Sequence, residues 1–343
     1  MKIVRRLSRR VVLLVLLGIV VASVGAGIAL ARGTATPIGT GVVVIDTNLA
    51  YQGGGAAGTG MVLTSSGEVL TNNHVISGAT TIKVVIPKTG HSYGARVVGY
   101  DRTADIAVLQ LRGASNLRTV STSSAKLTVG ATVTAFGNAG GTGNISSATG
   151  TVTGLGRSIT ASDETGGSEQ LTGLIETNAG LQPGDSGGPL VDNRGQVVGV
   201  DTAASTGFGF QDVSARDAYA VPIAKALTIA HAISSGSASA TVHIGATPFL
   251  GIEVGSVAAA GYGGQSVSGA LIAGMVSGGP AASAGLVPGD VITAIDGHAV
   301  SSPAAISGLV LERKPGAKLR VAYVDQFGTS HATSVTLGSG PAQ

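Results

Sequence analysis

The sequence predicts a mainly β chain of two domains behind an N-terminal hydrophobic helix, and three observations carry that prediction. Glycine is abundant, with 55 residues, aromatics make up only 3%, and the apolar residues are mostly Ala, Val, Leu and Ile. They fall in short alternating runs broken by Gly, Ser, Asn and Asp, the pattern of strands joined by turns. A length of 343 residues exceeds one average domain, so two are expected. Residues 11–31 are 21 residues without a charge, long enough as a helix to rise about 31 Å, against a hydrocarbon core of about 30 Å.

That first segment, residues 1–33, reads as a signal peptide or a transmembrane anchor. Five basic residues precede residue 11 and no acid lies in the first 33, so the positive-inside rule leaves the N-terminus in the cytoplasm and the rest of the chain outside. Residues 11–21 have the length of a signal h-region, and Ala29-Leu30-Ala31 fits a cleavage site. The unbroken 21-residue length suits an uncleaved anchor, with the membrane held through residues 11–31. Ser8-Arg9-Arg10 is similar to a twin-arginine signal, but the very apolar core argues for general export. The expected location is extracytoplasmic, membrane-anchored or secreted.

Charge and residue types then exclude several classes. Lys2, Arg5, Arg6, Arg9, Arg10 and Arg32 all belong to the first segment, and without them the net charge moves from +3 to −3. No basic patch remains to hold nucleic acid. Cysteine is absent and the six histidines are scattered, so no disulfide, metal or cofactor is expected.

Residues 41–46 read as a strand, residues 53–60 as a glycine-rich turn, and residue 61 as the start of a further strand. "VLTNNHVI", residues 69–76, places His74 where an apolar strand gives way to a polar turn. That is a sheltered but reachable position, as a general base needs. In "VVGYDRTADIAVLQL", residues 97–111, Asp101 lies in a polar turn and reads as a solvated turn residue. Asp105 directly precedes a run that should be buried, where a carboxylate is costly unless partnered, and an imidazole N–H would be such a partner. "GDSGGPL", residues 184–190, packs three glycines and a proline around Ser186. Such a loop either turns sharply or lets something approach closely, which suits a nucleophile beside main-chain N–H donors. The chain order is His74, Asp105, Ser186, which separates it from the subtilisin and α/β-hydrolase orders. The absence of a GxSxG elbow disfavours an esterase or lipase.

The motifs "TNNHV", "DRTADIAVLQL" and "QPGDSGGPL", followed by "GQVVGVDTAAS" and "YAVPIAKAL", resemble those of the HtrA (DegP-like) serine proteases. The resemblance implies a chymotrypsin-like double β-barrel, residues 34–233, with the triad between the barrels. It implies an oxyanion hole from the N–H groups of Gly184 and Ser186, with Asp185 adding a third. It also implies a homotrimer. Asp185 departs from the asparagine common in the family. Digestive proteases have aspartate there, paired with an N-terminus made by cleavage, and no matching activation site is visible.

A helix is expected from residue 222 to about 233, with Ala226, Ile229, Ala230 and Ile233 facing the barrel. Residues 234–247 read as a flexible linker by composition, keeping the following domain near the cleft without fixing its orientation. "SGGPAASAGLVPGDVITAIDGHAV", residues 277–300, resembles an α+β PDZ domain, placed at residues 248–339. There the N–H groups of Leu250, Gly251 and Ile252 in "FLGIEV" would hold the terminal carboxylate of a peptide, added as a strand. The function these readings imply is an exported endopeptidase acting on unfolded or damaged protein substrates. The alternative is a non-catalytic scaffold that binds C-terminal peptides.

Overall fold

The computed structural model describes residues 39–162, 168–204, 217–256 and 267–342. The expected N-terminal helix, and the choice between signal and anchor, lie outside the described residues. No helix among the described residues is long and apolar enough to cross a membrane.

The first barrel is built from β1 (Val42–Leu49), β2 (Gly54–Val62), β3 (Glu68–Thr71), the one-turn helix α1 (Asn73–Ile76), β4 (Thr81–Ile86), β5 (His91–Asp101) and β6 (Ile106–Leu111). The strands run β5-β4-β1-β2-β3-β6, and a β5–β6 pairing closes the ring. The glycine-rich stretch expected as a turn is instead most of β2, paired residue for residue with β1. Its glycines serve close packing. A Cβ at Gly58 would lie 2.6 Å from Val75, and one at Gly60 would lie 2.8 Å from Val69.

The second barrel comprises β7 (Thr132–Gly137), β8 (Ser146–Ser162), β9 (Ser168–Thr177), β10 (Pro189–Val191), β11 (Val197–Ala204) and β12 (Ala218–Pro222), closed in the order β10-β11-β12-β9-β8-β7. The run "IAVLQL" of β6 shows how the two barrels join. Successive side chains of a strand point to opposite faces. Ala107, Leu109 and Leu111 therefore fill the first barrel, while Ile106 and Val108 join a cluster with Val191, Val200 and Val221 of the second. The helix α2 (Ile223–Ser234) seals that cluster with Ala226, Ala230 and Ile233.

The segment after α2 is not a free linker. Within it, β13 (Val242–Ile244) pairs antiparallel with β5, adding a strand to the first barrel's sheet. Asp101, expected to be solvated, is 4% exposed. Its carboxylate accepts from Thr103 Oγ1 at 2.8 Å, from the Ala104 N–H at 3.1 Å and from Thr241 Oγ1 at 2.9 Å. The polar turn is thus a covered joint between barrel and linker.

The remaining elements are β14 (Thr247–Phe249), β15 (Ile252–Ser256), β16 (Ala270–Met275), α3 (Pro280–Ser283), β17 (Val291–Ile295), β18 (His298–Ala299), α4 (Pro303–Leu311), β19 (Lys318–Val324), β20 (Ser330–Thr336) and β21 (Gly338–Gly340). A sheet in the order β15-β16-β17-β19-β20 packs around Ile272, Ile292, Ile306, Leu319 and Val335. Asp296 and Gly297 both have positive φ, the twist a two-residue hairpin turn requires, and Ile295 pairs with His298 across it.

This domain touches the first barrel directly. Phe249 stacks on Tyr51 with ring centroids 5.3 Å apart. The strand β14 pairs with β21, and beyond β21 Ala342 is buried in the first barrel's core, its carbonyl accepting from the Gly78 N–H at 2.8 Å. Gly78 lies two residues after the helix that carries His74. The β5–β13 seam is tight. A Cβ on Gly99 would lie 2.4 Å from the His243 carbonyl oxygen and 2.9 Å from Ile233. Gly99→Ala is expected to destabilise the chain by about 1–3 kcal/mol through overpacking, measured by urea unfolding. An unchanged midpoint would show that β13 is not fixed on β5.

Candidate active site

Three local structures carry His74, Asp105 and Ser186, the residues expected to form a triad. His74 sits on α1, whose Val75 and Ile76 are buried in the first barrel. The His74 side chain remains 36% exposed, so solvent can reach it. Asp105 ends the turn before β6 and is 6% exposed. Its φ is +53°, left-handed backbone that Asp tolerates better than most residues. The turn is closed by the Asp105 N–H donating to the Arg102 carbonyl at 3.0 Å.

Asp105 holds the histidine at two points. Asp105 Oδ2 lies 2.8 Å from His74 Nδ1, and Oδ1 accepts from the His74 main-chain N–H at 3.0 Å. Oδ2 also accepts from Thr202 Oγ1, and Asn72 Nδ2 donates to the Asp105 carbonyl at 2.8 Å. Burial pulls the His74 imidazole towards its neutral form. The Asp105 charge and hydrogen bond outweigh it, and the imidazole is raised above its ordinary 6.5.

The Ser186 loop is a compact turn. The Asp185 N–H donates to the Gln182 carbonyl at 3.0 Å, and the Gly188 N–H to the Asp185 carbonyl at 2.9 Å. Its docking explains the glycines. Gly187 has φ +84°, and a Cβ there would lie 2.1 Å from the Thr59 carbonyl oxygen, 2.2 Å from Thr71 Oγ1 and 3.2 Å from the Asn72 nitrogen. The residue after Ser186 is therefore in direct contact with the strand end that leads into His74. Gly184 has φ +97°, and its Cβ would meet the Asn138 carbonyl oxygen at 2.2 Å. A side chain at Gly187 would push the loop off the first barrel, and one at Gly184 would push it off the turn that follows β7.

Thr59 organises this contact from β2. Its N–H donates to the Ser186 carbonyl at 2.9 Å, and its hydroxyl donates to the Gly184 carbonyl at 2.7 Å while accepting from the Asn138 N–H at 2.9 Å. Thr71 Oγ1 donates in turn to the Thr59 carbonyl at 2.7 Å. Behind the loop, the Gly140 N–H donates to the Pro183 carbonyl at 2.8 Å. Thr59, Asn72 and Thr202 were not identified from the sequence. Each is a small polar residue in or beside a strand, and only long-range pairing reveals its partner. Among the described residues no cluster of His, Asp and Glu could hold a metal ion.

Comparison with known proteins gives this arrangement a lineage. The trypsin-like peptidase domain family matches residues 58–200, and the PDZ domain family matches residues 271–322. The chain is 35% identical over 313 residues to "Serine protease PepD" of Mycobacterium tuberculosis, across 87% of this chain and 63% of that protein. It is 34% identical to "Putative serine protease HhoB" of Synechocystis, across 77% of this chain and 62% of the relative. To a "Probable periplasmic serine endoprotease DegP-like" of Pseudomonas fulva it is 33% identical, across 83% and 56%. The chain thus carries a trypsin-like peptidase domain and a PDZ domain, and it is similar to DegP-like serine proteases. It spans about three-fifths of the length of these relatives.

Within the matched peptidase domain, the main-chain donors around Ser186 are not equivalent. The Asp185 N–H is already committed to Gln182. The N–H groups of Gly184 and Ser186 make no such bond within the loop. Asp185 Oδ2 accepts from the Gln182 N–H at 2.9 Å, bracing the turn from its own side chain. Burial raises the Asp185 carboxyl, and that bond from Gln182 partly offsets the rise.

Ahead of the matched PDZ residues, Leu250 is buried, and Gly251 turns with φ +78° into β15. The Leu250 carbonyl accepts from the Ala281 N–H at 3.0 Å, and the Gly251 carbonyl accepts from the Val276 N–H at 3.0 Å. The loop is thus pinned through its carbonyl side. The helix α4 packs beside β14 and β15, with Ile306 and Val310 buried in the domain core and Leu309 partly buried against it.

Proposed function

We propose that the chain is an exported serine endopeptidase that hydrolyses unfolded or damaged proteins and binds their C-termini in its PDZ groove. The observation that carries this reading is the Asp105–His74 bond together with the glycine loop of Ser186 packed on the strand end before His74. Ser186 Oγ attacks the scissile carbonyl while His74 Nε2 accepts its proton, and the same proton passes to the leaving amine. Asp105 keeps the proton on Nδ1 and stabilises the imidazolium. The Gly184 and Ser186 N–H groups receive the developing oxyanion. Water then releases the acyl group by the same steps in reverse, with no cofactor.

The acyl-side pocket in this reading is walled by residues 178–181 and 200–203, with Tyr219 and Ala220 near its base. Val200 and Ala220 are buried and Gly180 carries no acid, which favours small or medium aliphatic residues at the cut. Leu250, Gly251 and Ile252 would take the carboxylate of a bound peptide. With β13 and Ala342 fixed on the first barrel, the PDZ domain presents that peptide from a defined direction. Similarity to a Pseudomonas fulva relative named as periplasmic supports an extracytoplasmic location, and anchoring or secretion through the N-terminal segment is part of this proposal. A homotrimer remains part of this proposal on family grounds.

A fluorophosphonate probe tests the reading, since it labels only an activated serine. Labelling is expected at Ser186, with cleavage of a denatured protein substrate by the same preparation. A folded chain that binds apolar C-terminal peptides but takes no label would support the scaffold instead. The pH profile is a second check. The base works only when neutral, so kcat/KM is expected to climb with pH and reach half its maximum above 6.5. The same shift contributes stability that is complete below pH 6.5 and is lost as pH rises through the higher folded value. A half-maximum below 6.5 would contradict the Asp105 contact.

A further inference from the structure

Asp201 lies on β11 directly before Thr202, and its side chain is fully buried. Neither carboxylate oxygen has a hydrogen-bond partner among the described residues. Its main chain, by contrast, is fully used. The Asp201 carbonyl accepts from the Gly187 N–H at 2.8 Å, and the Asp201 N–H donates to the Gly188 carbonyl at 2.8 Å. Those two glycines follow Ser186 directly, so Asp201 clamps the nucleophile loop through its backbone. On the other side of Ser186, Asp185 is 5% exposed and its Oδ1 also lacks a partner. Gly137 presses on it so closely that a Cβ there would lie 2.4 Å from Oδ1.

Among the described residues, none of the groups that act on Asp201 is a cation. Among the described residues Asp185 is the charged group that acts on it, and both are acids. Across the sheet, β12 presents Ala220 opposite, and β10 presents Pro189 opposite the neighbouring Val200. The Asp105–His74 pair reaches this strand through Thr202, one residue on. Tyr219, also on β12, is influenced by Glu176, Asp217 and Arg157. A carboxylate removed from water with neither donor nor counter-ion is too costly to keep its charge, and it retains its proton instead.

We propose that Asp201 is a neutral carboxylic acid whenever the Ser186 loop is formed, and that loss of its proton at rising pH opens the loop. Asp201 is then a positioning residue that confines the formed loop to the acidic side of its own titration. The role assigned to Ser186 rests on the protease reading above; the buried acid itself does not. Burial and the neighbouring Asp185 charge both push Asp201 well above its ordinary 3.8. A raised carboxyl contributes stability that is complete below pH 3.8 and is lost as pH rises through the folded value. While one proton is retained, the folding equilibrium falls by up to about tenfold per pH unit.

The test compares the full chain with Asp201→Asn, which keeps the shape and removes the titration. Tm is measured from pH 4 to 9, and the fluorophosphonate labelling rate is scaled to each protein's own maximum. The wild-type Tm is expected to fall with pH relative to the variant, and an alkaline fall in wild-type labelling should be absent from the variant. Parallel Tm curves overturn the proposal. Diverging Tm curves with coincident labelling profiles also overturn it, because the acid would then be buried without positioning Ser186. If neither protein labels at any pH, the protease reading fails, while the Tm comparison still decides the state of Asp201. If Asp201→Asn does not fold, Asp185→Asn replaces it. Removing that like charge should move the wild-type fall in Tm to lower pH, and a fall that stays in place rejects the pairing.

Discussion

Ser186→Ala is expected to lower kcat for cleavage of a denatured protein by about 10⁶-fold, the scale of losing the nucleophile from a complete triad. The fold should survive the change. The Ser186 carbonyl, not its hydroxyl, is what Thr59 holds at 2.9 Å, and the neighbouring clamp from Asp201 is also main chain. Alanine keeps every one of those bonds. Removing the hydroxyl therefore separates chemistry from architecture: Tm stays near wild type while fluorophosphonate labelling vanishes. Residual cleavage within about tenfold of wild type would place the nucleophile elsewhere and leave the glycine loop as a structural turn. A small residual rate over water, from binding and the main-chain N–H groups alone, is compatible with the reading.

The contrast between Gly187 and the glycines of β2 shows what the sequence could and could not convey. Around Ser186 the glycines, the proline and the serine all carry local turn chemistry, so the loop was legible as a site. Residues 54–60 have similar composition, yet they form part of a strand. Their small size serves contact with Val75, Val69 and Ile45, which come from other parts of the chain. Composition records that a side chain is missing but not what fills the space. The same limit applies to the segment after α2. Its Ser, Gly and Ala predict flexibility, but Val242 and Ile244 find an open edge on β5. The order His74, Asp105, Ser186 was readable because each residue interrupts a local pattern. Thr59 and Thr202 interrupt nothing, and their partners lie 125 and 97 residues away. That the Asp201 carboxylate finds no hydrogen-bond partner among the described residues is a property of the packed fold alone.

Asp105→Asn is expected to reduce kcat by about 10⁴-fold, through the wrong histidine tautomer and not through loss of structure. The carboxylate accepts three bonds: from the His74 main-chain N–H at Oδ1, and from His74 Nδ1 and Thr202 Oγ1 at Oδ2. Asparagine has one acceptor atom and one donor group for these places. With the amide nitrogen at the Oδ1 position, two N–H donors would face each other at the His74 backbone. With the nitrogen at the Oδ2 position, the amide donates to His74 Nδ1, and Thr202 can turn its hydroxyl to accept. That second arrangement costs less, and it moves the imidazole proton to Nε2. His74 then points an N–H at Ser186 and cannot take its proton. The charge that raised His74 is gone as well, so the residual activity should rise with pH around a lower midpoint than in wild type. The two readouts together identify the cause. A 10⁴-fold loss with an unmoved midpoint would mean that the loop had shifted. A loss under about tenfold would remove Asp105 from the mechanism and leave Asn72 and Thr202 bound to a structural carboxylate.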